Sequence, residues 1–150
     1  MAERGRPKAG MSKAGAPRPS IEDYRALALF RYTLRKFLEF SQEAAKGVGL
    51  TPQQHQALLS IKGYPDRETI TVGELAERML LKHHSTVELV DRLVELGLVK
   101  RATDPADRRR VLLNLTAKSR KLLTSLSAAH LEELRRFQPV FATLLDRLEK

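Results

Sequence analysis

Residues 71–115 constrain the fold of this chain more than any other stretch, because their pattern predicts two short helices followed by a hairpin. Thr71 and Glu74 have the spacing of a capping box, in which each side chain accepts a hydrogen bond from the other residue's backbone N–H. A second helix is predicted from about residue 84 to residue 96, because its apolar residues fill one broad sector of a helical wheel. Gly97 suits the left-handed position that follows a helix.

Two short strands follow the second helix and are predicted at residues 98–102 and 111–115. Apolar residues alternate in the second strand, which is typical of a half-buried strand. Residues 103–107, TDPAD, have turn chemistry. Three adjacent arginines sit at this turn, namely Arg108, Arg109 and Arg110. Because neighbouring guanidinium groups repel one another, we expect the free protein to gain nothing from them and a phosphate backbone or narrow minor groove to neutralise them.

A short helix, a tight turn, a second helix and a hairpin form the winged helix-turn-helix, so the predicted fold is mainly α with a small β-hairpin wing. The helix-turn-helix is predicted at about residues 71–96 and the wing at about residues 98–115. The usual function of such a motif is to place its second helix in the major groove of DNA. A short extended piece at residues 69–70 can pair with the wing as a third strand.

The charge of the chain indicates a polyanionic partner. The net charge is +9 at pH 7 and the isoelectric point is near 10.2. Charge alone is a weak clue, because a basic surface can also meet membranes or RNA. Its distribution is more informative, since residues 100–121 carry eight basic side chains against only Asp104 and Asp107. A chain of 150 residues fits one domain, and we expect its partner to be double-stranded DNA.

Several classes of protein are disfavoured by the sequence. It has no cysteine, which excludes disulfides, thiolate metal sites and a thiol-based oxidation switch. Its four histidines lack the spacing of a metal site, and no Gly-rich phosphate loop, nucleophile elbow or HExxH motif occurs. We expect no enzyme activity, no cofactor and no metal. No stretch is apolar enough to span a bilayer and the N-terminus lacks the apolar core of a secretion signal, so a cytoplasmic location is expected.

The helix-turn-helix is flanked by a tail and by long helices. Residues 1–19 are rich in Gly, Pro, Ala, Lys and Arg, which predicts a disordered basic tail that either keeps the protein soluble or adds phosphate contacts. Residues 20–46 and 116–150 predict helices, with an interruption at Pro139 and a last helix at residues 140–148. Because the last element cannot bury its apolar face alone, we expect the terminal helices to form a homodimer interface.

Two further helix starts are marked by their caps. Ser20 is followed by two acidic residues, which suit the positive end of a helix dipole. Thr51, Pro52 and Gln54 supply an N-cap, a first-turn proline and a capping-box partner, and this helix is predicted to end near Gly63.

From Ser20 onward the chain resembles the MarR family of bacterial transcriptional regulators. The motifs that carry the resemblance are LTPQQHQALLSI at residues 50–61, LVDRLVELGLVKR at residues 89–101 and DPADRRRVLLNLT at residues 104–116. The family keeps an Asp, an Arg and a Leu-Thr pair in its wing, and the matching residues here are Asp107, Arg109 and Leu115-Thr116. The sequence departs from the pattern at Ser119, where a Gly is common, and at Glu88, where many relatives carry a basic or small residue.

The resemblance implies a MarR-type winged helix-turn-helix domain at residues 20–150 that acts as a homodimeric regulator, most often a repressor. Each recognition helix would take one half-site of a palindromic operator, with half-site centres about one helical turn (~34 Å) apart. Two other classes stay open. One is a sequence-neutral architectural DNA-binding protein, and the other is an enzyme or helical scaffold that binds no DNA.

Candidate DNA-binding residues lie at the start of the second helix, on its exposed arc and at the wing tip. The helix start is predicted to reach phosphates or base edges, with His83 as a turn or cap residue and His84 as a donor in the groove. Glu88 either accepts a hydrogen bond from a cytosine amino group or stays solvated. The full set is Lys82, His84, Ser85, Thr86, Glu88, Arg92, Arg108, Arg109 and Arg110.

The resemblance also implies that Asp91 and Arg92 help to brace the wing, with Asp91 holding Arg109 or a neighbour. Asp107 is the second predicted bracing residue. The alternative is ordinary pairing of surface charges, worth under about 1 kcal/mol.

Aromatic residues concentrate in the first long helix, although they are scarce elsewhere. Tyr24, Phe30 and Phe37 either pack the helical core or line a pocket for a small aromatic or anionic effector. Such a ligand would release DNA by favouring a different spacing of the two recognition helices.

Overall fold

The computed structural model describes residues 17–149, which form five helices and a three-stranded antiparallel sheet. In chain order the elements are α1 (Ile21–Gly47), α2 (Pro52–Lys62), β1 (Thr69–Ile70), α3 (Val72–Met79), α4 (His83–Glu95), β2 (Val99–Thr103), β3 (Val111–Leu115) and α5 (Ala117–Leu148). The fold is mainly helical with a small hairpin, as the sequence predicted. Most of the predicted tail at residues 1–19 lies outside the described residues.

Capping boxes begin four of these helices. Three of them start at the predicted caps Ser20, Thr51 and Thr71, in front of α1, α2 and α3. The fourth box begins α5, where the Thr116 hydroxyl accepts from the Ser119 backbone at 3.3 Å and the Ser119 hydroxyl accepts from the Thr116 backbone at 3.0 Å. Because Ser119 is buried and completes this box, its departure from the family's glycine has a local structural reason.

The wing is a hairpin of β2 and β3, and β1 pairs with the other edge of β3. Asn114 in the central strand lies opposite Lys100 on one side and Thr69 on the other. Leu113 and Leu115 are buried, whereas Thr103 and Val111 nearer the tip are exposed. The prediction that residues 69–70 pair with the wing is therefore confirmed.

α5 runs without a break through Pro139, so the predicted interruption was wrong. A proline in a helix removes the hydrogen bond to the carbonyl four residues earlier and costs about 3 kcal/mol. The segment after it is held by α1, because Phe141 packs edge-on against Phe30 with ring centroids 6.2 Å apart. Near the end of α5, Arg147 donates to Asp23 at 2.7 Å. These contacts keep the segment in line with the rest of α5.

One hydrophobic core joins the helix-turn-helix, the sheet and the start of α5. Each element contributes side chains that are almost fully buried, and the set includes Leu58, Ile61, Ile70, Leu75, Val90, Leu93, Val99, Leu113, Leu123 and Leu126. Because α4 and the base of the wing share this core, they hold fixed positions relative to each other.

α1 and α5 lie side by side and leave large apolar side chains exposed. At the start of α1 and the end of α5 these are Ile21, Tyr24, Leu27, Leu145 and Leu148. The two ends are neighbours, since Arg147 reaches both Asp23 and Ser20. Exposed apolar surface of this kind marks a candidate protein–protein interface.

Candidate nucleic-acid interface

The second helix of the helix-turn-helix, α4, begins at His83 with Lys82 as its N-cap. The helix thus starts within one residue of the predicted position of about residue 84, whereas the assignment of His83 as a turn or cap residue was wrong. Lys82 makes no side-chain cap hydrogen bond within the described chain, and its own carbonyl accepts from the Thr86 backbone at 3.1 Å. The backbone N–H groups of the first turn thus remain available to an anion such as a phosphate.

Five of the predicted residues form one surface, here called the α4 polar face: Lys82, His84, Ser85, Glu88 and Arg92. Ser85 is half-buried and the other four are exposed. His84, Glu88 and Arg92 recur at four-residue spacing, which aligns them along one side of the helix. The structure therefore brings these predicted residues together in a position that a duplex can reach.

Thr86 does not belong to this face, so its prediction as a DNA contact was wrong. Its side chain is 0% exposed, and its hydroxyl donates to the Lys82 carbonyl at 3.0 Å. Thr86 shares the core side of α4 with Val90 and Leu93, at helical spacing. On a helical wheel Thr86 falls in the apolar sector of α4, so its side chain is buried although it lies close to the helix start.

The start of α2 lies beside the α4 polar face, and this neighbour was not predicted from the sequence. A cavity of about 400 Å³ separates the two helices and is lined by Thr51, Gln53, Gln54, Leu81, Ser85, Glu88, Leu89 and Arg92. Gln53 is exposed in the first turn of α2. Its place at a helix start was visible in the sequence, but its nearness to Ser85 and Glu88 depends on tertiary packing.

Asx hydrogen bonds order the tip of the wing. The Asp107 carboxylate accepts from the Arg109 backbone at 3.0 Å, and the Asp107 carbonyl accepts from the Arg110 backbone at 2.9 Å. Asp104 accepts from the Ala106 backbone at 2.9 Å. The Arg109 side chain is 96% exposed, with its Nε 4.0 Å from Asp107. Asp107 therefore braces the tip through the backbone, and Arg109 projects from it.

Arg110 differs from its two neighbours, because it folds back onto the protein. Its Nη2 donates to Glu74 Oε1 at 3.1 Å, and its Nε lies 4.0 Å from Asp104 Oδ2. Arg108 and Arg109 are exposed. The expectation that the free protein gains nothing from the three arginines was therefore wrong for Arg110.

Asp91 pairs with Arg101 of β2 and not with Arg109. Asp91 therefore contacts the wing, as expected, but it does so at a strand near the base of the wing and not at Arg109. Both side chains of this pair are substantially exposed, so the ion pair is worth under about 1 kcal/mol. Arg92 lies 3.6 Å from Glu95 in a similar exposed pair and stays accessible on the α4 polar face.

The three aromatic residues predicted to line a ligand pocket do not share one. Tyr24 is exposed, Phe30 packs against Phe141, and Phe37 packs edge-on against His130 with ring centroids 5.8 Å apart. Tyr24 and Phe37 are about 20 Å apart along α1. Only Phe37 lines a described cavity, of about 190 Å³, together with His55, Leu59, Ser127, His130, Leu131 and Leu134.

Two histidines to which the sequence gave no role meet beside this cavity. His55 is buried, and its Nδ1 has no hydrogen-bond partner among the described residues. The His130 ring lies 4.8 Å from it and makes hydrogen bonds with the Leu126 carbonyl at 2.6 Å and the Ser41 hydroxyl at 2.8 Å. Burial lowers the pKa of His55, and the charge of His130 lowers it further.

Among residues 17–149, no group of three or more His, Cys, Asp or Glu side chains could hold a metal ion. No helix in the described part of the chain has the length and apolar character needed to cross a membrane.

Comparison with known proteins agrees with this architecture. The MarR family model matches residues 48–110. YcgE, an uncharacterized HTH-type transcriptional regulator of Bacillus subtilis (strain 168), is 34% identical over 121 residues, which cover 81% of this chain and 70% of the relative. The HTH-type transcriptional repressor MdtR of the same organism is 34% identical over 89 residues, which cover 59% of this chain and 53% of the relative.

A solved structure extends the comparison to the fold. A MarR family protein from Bacillus stearothermophilus superimposes with a TM-score of 0.69 at 24% identity, covering 89% of this chain and 100% of that one. Its winged helix-turn-helix architecture matches the helices and sheet described above. The members of this family regulate transcription by binding DNA and are not enzymes. From its sequence relatives and its fold, the chain belongs to the MarR family of transcriptional regulators.

Proposed function

We propose that this regulator is a repressor that binds a palindromic operator as a homodimer and is released by a small ligand. The observation that carries the proposal is the combination of the α4 polar face with a wing tip from which Arg109 projects, 96% exposed. A helix with such a face can read base edges in a major groove. An arginine at the end of a hairpin suits the neighbouring minor groove, where a narrow A·T-rich segment attracts it.

The polar face divides into phosphate and base contacts. Lys82 and the free N–H groups of the first turn of α4 suit a phosphate. His84 is placed to donate to a purine edge, and Glu88 to accept from a cytosine amino group. Gln53 at the start of α2 adds a polar side chain next to the same groove. Specificity would then depend on His84 and Glu88, and affinity on the cations.

The homodimer is supported by the apolar side chains that α1 and α5 leave exposed. Leu27 near the start of α1 and Leu145 near the end of α5 are both more than half exposed. A two-fold axis would bring the same surface of two copies together, and it would present two α4 helices to successive major grooves. Half-site centres about 34 Å apart would then match one turn of the duplex.

The proposal also includes repression of transcription and release from DNA by a ligand. The relative MdtR is named a transcriptional repressor, which supports the sign of regulation. The cavity beside Phe37 and His55 has about 190 Å³ and mostly apolar walls, which suits a small aromatic effector. It lies where α1 and α5 meet α2, so an occupant that favours one arrangement of these helices would change the spacing of the two α4 helices.

The proposal is tested by selecting bound fragments from random DNA and measuring their affinity against scrambled DNA at the same salt concentration. A specific regulator is expected to prefer its operator by at least ~10³-fold, and the selected sequences are expected to form an inverted repeat. Equal affinity for both DNAs would favour a sequence-neutral architectural protein.

Variants then tie the activity to the proposed surface. Replacing Arg108 and Arg109 with Ala should weaken binding to both DNAs and reduce its salt dependence. Arg136→Ala is the control, because it removes a charge from α5 whose side chain pairs with Glu133 at 3.5 Å. If the wing variant bound DNA like the control, the wing would not be part of the interface.

A further inference from the structure

Arg110 is held by two acidic side chains that are largely withdrawn from solvent. Glu74 of α3 and Asp104 at the start of the wing turn are 19% and 14% exposed, whereas Arg109 is 96% exposed. The contact between Arg110 and Glu74 joins positions 36 residues apart. It ties the tip of the wing directly to the helix-turn-helix, away from the shared hydrophobic core.

Glu74 is a fixed anchor for this contact. It is the capping-box residue of α3, and its backbone N–H donates to the Thr71 hydroxyl at 3.2 Å. Its second carboxylate oxygen accepts from Arg67 at 2.5 Å. Although burial raises the pKa of Glu74, hydrogen bonds from Arg67 and Thr71 outweigh burial and lower it below its ordinary value. The carboxylate is therefore ionised at neutral pH and held in one orientation.

We propose that Arg110 is a positioning residue for DNA binding, which latches the wing tip to Glu74 and Asp104 and so orients Arg109, and that it does not itself neutralise a phosphate. This inference rests on the proposed function, in which Arg109 enters or flanks a minor groove. It gives adjacent arginines in one turn two different roles.

The backbone of the turn explains how the latch would act on Arg109. The Arg110 carbonyl accepts from the Asp104 backbone at 2.9 Å, and the Arg110 N–H donates to the Asp107 carbonyl at 2.9 Å. In the chain, Arg109 therefore lies between Asp107 and Arg110, and the side chain of Arg110 is tied to α3. The side chains of residues 105–109 are exposed and supply little packing of their own. Holding the tip before DNA arrives lowers the entropy that binding must remove.

Substitution of Glu74 distinguishes the latch role of Arg110 from a role as a phosphate contact. If Arg110 were a phosphate contact restrained by Glu74, Glu74→Gln would release it, remove a negative charge and tighten the complex. If Arg110 is a latch, the same variant should loosen the tip and weaken operator binding by about tenfold. Glutamine serves a capping box as well as glutamate does, so α3 keeps its N-terminal cap.

Salt dependence supplies the second readout. The slope of log K against log salt changes by about 0.9 for each phosphate contact, or about 1.8 for the two wings of a dimer. Arg110→Ala should weaken operator binding about as much as Glu74→Gln while leaving the slope unchanged, and the double variant should show no further loss. Arg109→Ala should reduce the slope by about 1.8. Hydrogen exchange of residues 104–110 should be faster in the free Glu74→Gln protein than in the wild type.

Glu68→Gln is the matched control, since it removes a carboxylate charge whose partners are Lys62 and Arg120 and leaves Glu74 and the wing tip untouched. It should leave operator affinity within about twofold of the wild type. The latch is overturned if Glu74→Gln binds as well as or better than the wild type, if Arg110→Ala reduces the slope as Arg109→Ala does, or if Glu68→Gln is as damaging as Glu74→Gln. If instead Arg109→Ala leaves the slope of the wild type, the proposed function itself fails.

Discussion

His55 on α2 and His130 on α5 lie with their ring centroids 4.8 Å apart and their planes inclined by 49°, where the helix-turn-helix meets the terminal helices. His130 is fixed by Leu126 and Ser41, whereas Nδ1 of His55 has no partner within the described chain. Because His55 is buried, its protonation would place a charge out of contact with water, so protonation of His55 opposes the folded state.

Stability should therefore fall as the medium becomes acidic. The pKa of folded His55 lies below its ordinary value of 6.5, so the unfolded chain binds more protons below about that pH. We expect the free energy of unfolding, measured with urea, to decrease from pH 7.5 to 5.5 in the wild type. His55→Gln should flatten this dependence, and the exposed His84→Gln should retain it. An equal slope in His55→Gln and the wild type would contradict the assignment.

Asp23 should titrate at unusually low pH. A backbone hydrogen bond from Ser20 and the Arg147 guanidinium lower its pKa from 3.8 to about 2. Its contribution to stability should be complete above pH 3.8 and lost as the pH falls toward 2. In an NMR titration of the carboxyl group, Arg147→Ala should raise the pKa part of the way to 3.8, because Ser20 remains. Arg25→Ala, which loses a pair with Glu22, should leave it unchanged; no shift in Arg147→Ala would refute the pairing.

Thr86 should matter for stability and not for DNA recognition. Thr86→Ala removes a buried methyl group and the hydroxyl that bonds Lys82, so unfolding should become about 1–2 kcal/mol easier. Operator affinity of the folded fraction should match the wild type. His84→Ala should do the reverse, with little change in stability and a weaker preference for operator over scrambled DNA. A loss of preference in Thr86→Ala at full stability would mean that α4 rotates on binding.

The dimer should depend on the exposed ends of α1 and α5. Leu145 is 59% exposed, and Leu145→Glu would place a charge in the proposed interface, so sedimentation equilibrium should give a monomer at micromolar concentration. Leu80→Glu is a matched change at a leucine that is 91% exposed in the helix-turn-helix turn, and it should remain dimeric. A dimeric Leu145→Glu protein would place the interface elsewhere.

Local signals in the sequence determine much of this fold. Capping boxes at Ser20, Thr51 and Thr71 involve residues three positions apart, so these helix starts could be predicted from the sequence alone. The alternation in β3 likewise predicted the sheet. By contrast, the continuity of α5 through Pro139 depends on packing against α1, which no local pattern encodes.

In the candidate site, too, some features were predictable from local sequence and others depend on tertiary packing. The α4 polar face was predictable because helical periodicity assigns each side chain to one side. The different roles of Arg109 and Arg110 were not, since they depend on Glu74, which lies 36 residues before Arg110 in the chain. The pairing of Asp91 with Arg101 and the contact between His55 and His130 are likewise set by how elements pack.

The central claim is that the wing and α4 contact one DNA duplex together. The most direct test is the salt dependence of operator binding by Arg109→Ala. The slope of log K against log salt should be smaller than in the wild type by about 1.8, which is 0.9 for each wing of the dimer, and Arg136→Ala should keep the wild-type slope. If Arg109→Ala and Arg136→Ala gave the same slope as the wild type, the projecting arginine would not meet DNA and the account would be wrong.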